Sequence, residues 1–276
     1  MPKFSNVTVI LATTCLLLTT GCADDGAGGH GGSTAKKDAP AKVAADIADH
    51  QMAAGDPAGA VTFYRRALQI DPDQPKTQMA LADALIDSGG TDEAADLYRK
   101  VLAKDPSNAQ AMSGLGVALV RLGQPQQAAE ILHKGLDKAP SARGYRALGV
   151  ADSMLGNSDA AEADFAKGLA LAPQDVGLRA NLGLAQAISG KFDPAIANLR
   201  AAAVGPSSSP QYRQNLALGL GLAGRTDEAA KIAQIDLDPD AVRSNLSYYA
   251  ELRGMTPAQR TQALFHVDAA AGRPPG

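Results

Sequence analysis

Tryptophan is missing from this 276-residue chain, and aromatic residues of all kinds make up only 4% of it. Hydrophobic residues still reach 45%, supplied mainly by alanine and leucine, with glycine also abundant. Side chains this small fill thin seams between closely approaching helices rather than one broad core. Both cysteines, Cys15 and Cys22, fall at the start of the chain, so the rest can form no disulfide. The longest apolar run, residues 7–18, is about a dozen residues, short of the roughly 20 that span a bilayer. The formal net charge is −3 with no basic stripe, which argues against nucleic acid as a partner. Chemistry is equally scarce. His50, His133 and His266 have no ligand-spaced neighbours, and nothing forms a nucleophile motif. "GLGLAG" at 219–224 has dinucleotide-loop spacing, but those glycines close a helical pattern instead of opening a helix after a strand. The chain reads as no enzyme, with no cofactor, no metal and no small-molecule substrate.

The first residues carry an address. Lys3 precedes the apolar run, and "LTTGC" follows it. This resembles the lipobox of bacterial lipoproteins, with Gly21 and Cys22 fitting and Thr19 standing where leucine is usual. The resemblance implies a signal peptide over 1–21, lipid on Cys22, and loss of Cys15 with the signal; removal of Lys3 makes the mature chain about one unit more negative. One acyl chain, at about 0.8 kcal/mol per buried CH₂, holds only marginally; the three of a mature lipoprotein would anchor permanently. Residues 22–40, rich in glycine around His30, read as a tether reaching about 25 Å. By the same family logic, Ala23 in place of aspartate points to the periplasmic face of the outer membrane.

One period governs the rest. Glycines stand at 55, 89, 123, 156, 190 and 224, spaced by 34, 34, 33, 34 and 34 residues. Five residues after each comes an alanine, at Ala60, Ala94, Ala128, Ala161, Ala195 and Ala229. Seven before each comes Ala48, Ala82, Gly116, Gly149, Gly183 or Ala217, preceded by Ile47 or a leucine. Pro72, Pro106, Pro140 and Pro173 close four units, with Pro206 one place early in the fifth. The spacing resembles the tetratricopeptide repeat, a 34-residue helix–turn–helix unit, over about four-fifths of the chain. It implies an all-α right-handed superhelix (an α-solenoid) of six repeats, at 41–74, 75–108, 109–141, 142–175, 176–209 and 210–239. Small residues let the helices of a unit meet, as Gly149 against Ala161 and Gly183 against Ala195; a leucine there should cost about 1–3 kcal/mol. Gly135 and Gly168 stand where alanine is usual, which points to a soft middle.

"VRSNLSYYAELRGMTPAQR" repeats the spacing of Leu216 to Gly224 between Leu246 and Gly254. Residues 241–253 therefore read as a seventh first helix, with Thr256 and Pro257 opening a last one. Residues 240–269 make a capping pair in which Tyr248 and Tyr249 are packing contacts, and 270–276 a disordered tail. Behind a lipobox, this end looks like the TadD-type lipoprotein of tight-adherence (Flp) pilus assembly.

In tetratricopeptide proteins the first helices line a concave groove. Carried over by repeat position, that groove holds Met79, Asp83, Ile86 and Asp87, then Val117, Val120, Arg121, Arg146 and Val150, then Leu184, Ile188, Leu218 and Leu222 around Gly221. It should run from acidic through basic to apolar, the last part suiting an amphipathic helix, so that Leu184→Glu with Leu218→Glu would abolish binding and spare the fold. Asp49 stands where some family members place a carboxylate-clamp asparagine, which argues against that mode. The resemblance implies a pilotin-like partner for a secretin or another pilus subunit; a general envelope scaffold for a peptidoglycan-synthesis or export complex is the alternative.

Overall fold

The structure, a computed structural model, describes residues 35–205 and 208–265. Cys15, Cys22, His30, Pro206, His266 and the tail at 270–276 lie outside the described residues. The described residues form fourteen α-helices and no strand. In order they are α1 (Ala35–Ala53), α2 (Pro57–Ile70), α3 (Pro75–Ser88), α4 (Thr91–Lys104), α5 (Ala109–Arg121), α6 (Pro125–Lys138) and α7 (Ala142–Met154). Then follow α8 (Ser158–Leu171), α9 (Val176–Ile188), α10 (Phe192–Ala203), α11 (Pro210–Leu222), α12 (Thr226–Ala233), α13 (Pro239–Arg253) and α14 (Pro257–Phe265). The expected all-α repeat architecture is what the chain adopts.

The sequence punctuation is visible in the backbone. All six periodic glycines have positive φ, between 68° and 96°, the left-handed region that side chains resist. Each closing proline within the described residues lies two residues beyond a helix end: Ile70 before Pro72, Lys104 before Pro106, Lys138 before Pro140, Leu171 before Pro173. A residue ahead of proline is pushed out of the helical region, so the helix stops there. Four later first helices restart on a side-chain cap, with Asn108 accepting from the Ala111 amide, Ser141 from Gly144, Asp175 from Leu178 and Ser209 from Tyr212, whereas α3 after Pro72 has none. One boundary differs. Helix α1 begins at Ala35, so residues 35–40, read above as tether, are helical with Pro40 inside. Alanine and lysine in "AKKDA" are strong helix formers, and the glycine count had masked them.

The chain divides into two compact units at Leu122/Gly123. In the first, α1 to α5 pack each on the next, and α3 also meets α5. In the second, α6 to α12 pack in sequence, α9 meets both α7 and α11, and α13 lies on α11 and α12. Two apolar clusters fill the second unit. One gathers Leu199, Leu216 and Leu220 between α9 and α12; the other gathers Leu184, Leu218, Leu222, Tyr249 and Leu252. Seams are as thin as the composition requires, although the group filling the space beside Gly149 is the Phe165 ring rather than Ala161: a Cβ built on Gly149 would lie 2.6 Å from Phe165 Cε1. On Gly183 it would meet Leu199 at 2.8 Å and the Ala195 carbonyl at 3.0 Å. Gly168 is likewise a packing glycine, with Leu178 at 2.8 Å from where its Cβ would sit.

Candidate functional site

The ninth place of each repeat, on its first helix, sets the character of that helix's face. It is Asp49, Asp83, Val117, Val150, Leu184 and Leu218, six residues before each turn glycine. Fifteen residues on, the second helix answers in kind with Tyr64, Tyr98, Leu132, Phe165, Leu199 and Ala233. Where the first member is an acid, a tyrosine hydroxyl donates to it: Tyr64 Oη to Asp49, and Tyr98 Oη to Asp83 Oδ1 at 2.6 Å. Burial pushes the Tyr64 hydroxyl well above its usual pKa, and the bond to Asp49 adds to this. Two polar pairs therefore mark the first unit's face, and aliphatic or aromatic partners the rest.

Within the first unit, α1 and α3 leave an open cleft of about 470 Å³ with α2 as its floor. Alanines 41, 45, 67 and 80 make its walls apolar, Lys42 and Lys76 stand exposed on its rim, and Asp49 with Tyr64 closes one end. Of the groove residues expected here, Met79 and Ile86 are buried, whereas Asp83 is half-buried. Val117 and Val120 are half-buried on α5. Arg121 Nη1 donates to the Ile86 carbonyl at 3.1 Å, and Nη2 lies 3.9 Å from Asp87 Oδ1. Lys42, Gln74, Lys76 and Tyr64 were not among the predicted site residues, although the constant interval from Asp49 and Asp83 to a tyrosine was there to be read.

The second unit corrects the sequence reading. Leu184, Ile188, Leu218 and Leu222 are 1%, 3%, 2% and 0% exposed, and Val150 is 4% exposed. The four leucine and isoleucine side chains are not an empty apolar groove, because α13 and α14 cover them: Tyr249, Leu252 and Leu264 belong to the same cluster. Helix α14 lies against α7 and α9. Glutamates at 184 and 218 would therefore be buried charges that break the core, not probes of binding. Arg146 is half-buried, its Nη1 3.7 Å from Asp175 Oδ2. Tyr248 donates to the Ala263 carbonyl at 3.3 Å, and buried Tyr249 occupies the space a Cβ on Gly221 would need. Gly219 and Gly221 lie inside α11, so the dinucleotide-like spacing serves close packing.

Deeper in the second unit, Asp152 and Asp164 are 6% and 5% exposed. Asn157 Nδ2 donates to Asp152 at 3.0 Å, and Lys167 Nζ donates to Asp164 at 3.0 Å. Burial raises the Asp152 carboxyl above the usual carboxylate range; the bond from Asn157 opposes this and the neighbouring Asp164 adds to it. Among the described residues no three His, Cys, Asp or Glu side chains are grouped to hold a metal ion. No helix among them is long and apolar enough to cross a membrane.

Residues 51–96 and 79–143 each match a family model described as tetratricopeptide repeat. Over residues 51–143 the helix pairs are thus similar to tetratricopeptide repeats. Similar repeat arrays occur in solved structures. PilW, described as a widely conserved type IV pilus biogenesis factor, superposes with a TM-score of 0.60 at 20% identity, over 71% of this chain and 93% of that one. Pseudomonas aeruginosa pilF gives 0.57 at 19% identity, over 83% and 99%. A thermophilic tetratricopeptide-repeat protein of Thermus thermophilus gives 0.57 at 24%, over 65% and 98%. At such identities the likeness is one of fold. No curated protein matches the chain by sequence. Tetratricopeptide repeats are protein-interaction scaffolds, and an open cleft in one unit, with a self-covered face in the other, is what this array offers a partner.

Proposed function

We propose that this chain is a membrane-anchored scaffold that binds a protein partner and acts as a pilotin-like assembly factor for a tight-adherence pilus. Lipid on Cys22 would hold it at the periplasmic face of the outer membrane, and a secretin or another pilus-machine subunit would be its client. The lipobox resemblance and the TadD-like end of the chain support that setting, and a fold shared with a pilus biogenesis factor agrees with it. The observation carrying the binding role is the cleft between α1 and α3: apolar-walled, open, and rimmed by Lys42 and Lys76. A client segment fitting it carries small apolar side chains flanked by acidic residues, with a donor for Asp49. The test is Lys42→Glu with Lys76→Glu, followed by co-purification from native membranes. The account expects the client to be lost while the helical spectrum and membrane fraction are unchanged. Undiminished co-purification would refute the cleft. Cys22→Ala should mislocalise the client; a client that reaches its membrane regardless would favour a general envelope scaffold.

A further inference from the structure

The second unit holds a feature that the scaffold reading leaves unused. A face built by first helices is filled by a helix of the same chain, and that helix is held in an unusual way. Arg260 is 7% exposed, and among the described residues its partners are main-chain carbonyls. Its Nε donates to the Leu252 carbonyl at 3.0 Å, Nη1 to Ile188 at 3.1 Å and Nη2 to Arg253 at 3.2 Å. Ile188 ends α9, and Leu252 and Arg253 end α13, where carbonyls run out of intrahelical partners and the dipole favours a cation; that of Leu252 also accepts from the Met255 amide. The Phe192 ring lies 5.9 Å from the guanidinium. One turn further on, Leu264 enters the cluster of Leu184, Ile188, Leu218 and Leu222. The face is thus read by an arginine and, four residues later, a leucine.

We propose that α14 is an exchangeable internal ligand, occupying a helix-receiving face on α7 and α9 that a partner helix with the same arginine–leucine spacing takes over. Two observations support exchange. Among the described residues α14 fully buries Arg260, Thr261 and Leu264 and holds Ala263 and Phe265 half-buried against the cluster, so only one large apolar side chain is fully sunk, whereas α13 sinks Val242, Tyr249 and Leu252. Segments with so few apolar contacts open first. Its departure uncovers apolar side chains and takes the arginine from the Ile188 and Arg253 carbonyls, while that of Leu252 keeps the Met255 amide at 3.0 Å, so a replacement helix is favoured over a vacant face. A partner lacking the cation leaves the Ile188 and Arg253 carbonyls without it, which is the basis of selection.

The inference rests on the reading that these repeats bind polypeptide, and its test needs no client. A labelled, amidated peptide of residues 255–265 is titrated against the full wild-type chain and against the full chain carrying Leu264→Asp, whose helicity is checked by circular dichroism. Fluorescence anisotropy should show at least tenfold tighter binding to the variant, and at least a tenfold loss when the peptide carries Arg260→Ala. In the wild type, hydrogen exchange should be at least tenfold faster in α14 than in α13. Equal peptide binding to both chains, indifference to Arg260→Ala, or equal protection of α14 and α13 would each overturn the proposal. If Leu264→Asp unfolds the chain, the wild-type exchange rates decide alone. Failure here leaves the Lys42 and Lys76 result standing, and failure there leaves peptide exchange standing.

Discussion

Replacing Gly149 by alanine sets two opposed effects against each other. In the middle of α7, alanine is the better helix former by about 0.5–1 kcal/mol. The added Cβ, however, would lie 2.6, 2.8 and 2.9 Å from Cε1, Cδ1 and Cζ of Phe165, where carbon pairs prefer about 3.5–4.0 Å. Phe165 is 0% exposed, and its ring is stiff, so it cannot turn aside into solvent. Overpacking of this kind costs about 1–3 kcal/mol, and the net expectation is destabilisation by about 0.5–2 kcal/mol. Urea unfolding of the full chain followed by circular dichroism measures it, with an unchanged m-value showing that stability alone has moved. In a Phe165→Leu background the clash is relieved, so Gly149→Ala should cost about 1 kcal/mol less there, a coupling that a double-mutant cycle reads directly. A Gly149→Ala chain as stable as wild type, or two substitutions that simply add, would refute the close-seam reasoning.

Gly156 has φ +80° with nothing within 4 Å of an added Cβ, so Gly156→Ala should cost about 1–2 kcal/mol from backbone strain alone, read as a lowered urea midpoint. Tyr98→Phe removes a 2.6 Å bond to Asp83 and should cost about 1–2 kcal/mol by the same assay. Asp152 binds its proton more tightly folded than unfolded, so its contribution is fully present below about pH 4 and is lost as pH rises through the raised folded-state value. Asp152→Asn should therefore gain stability relative to wild type at pH 7 but not at pH 4, in paired denaturation curves. Arg213 meets Asp236 through Nε at 2.8 Å and Nη2 at 2.5 Å, a fork that lysine cannot reproduce. Arg213→Lys should lower the urea midpoint, an effect that fades only in strong acid, because the bond from the Arg213 guanidinium holds the Asp236 carboxyl below the usual carboxylate range.

The repeats were legible because their punctuation is local. A glycine that needs positive φ, a proline two places past a helix end and a cap one or two places later act within a few residues, so spacing alone located them. The seventh first helix was readable for the same reason, since Leu246 and Gly254 keep the interval of Leu216 and Gly224. Who covers whom was not. Repeat position assigns Leu184 and Leu218 to a face, but nothing near them in sequence says that Leu264, from a later helix, lands there. Arg260 escaped notice because its partners are main-chain carbonyls, which have no sequence signature. Gly149 was matched to Ala161 by symmetry of small residues, whereas the neighbouring Phe165 ring claims that space.

The most direct test of the central claim is photo-crosslinking in the native membrane, with a photoreactive residue at Thr77 in the cleft or, as control, at exposed Asp159 on α8. The account predicts one discrete polypeptide adduct from position 77 and none from 159, on a chain whose amino-terminal Cys22 carries lipid. No adduct at 77, or the same adducts at both positions, would contradict it.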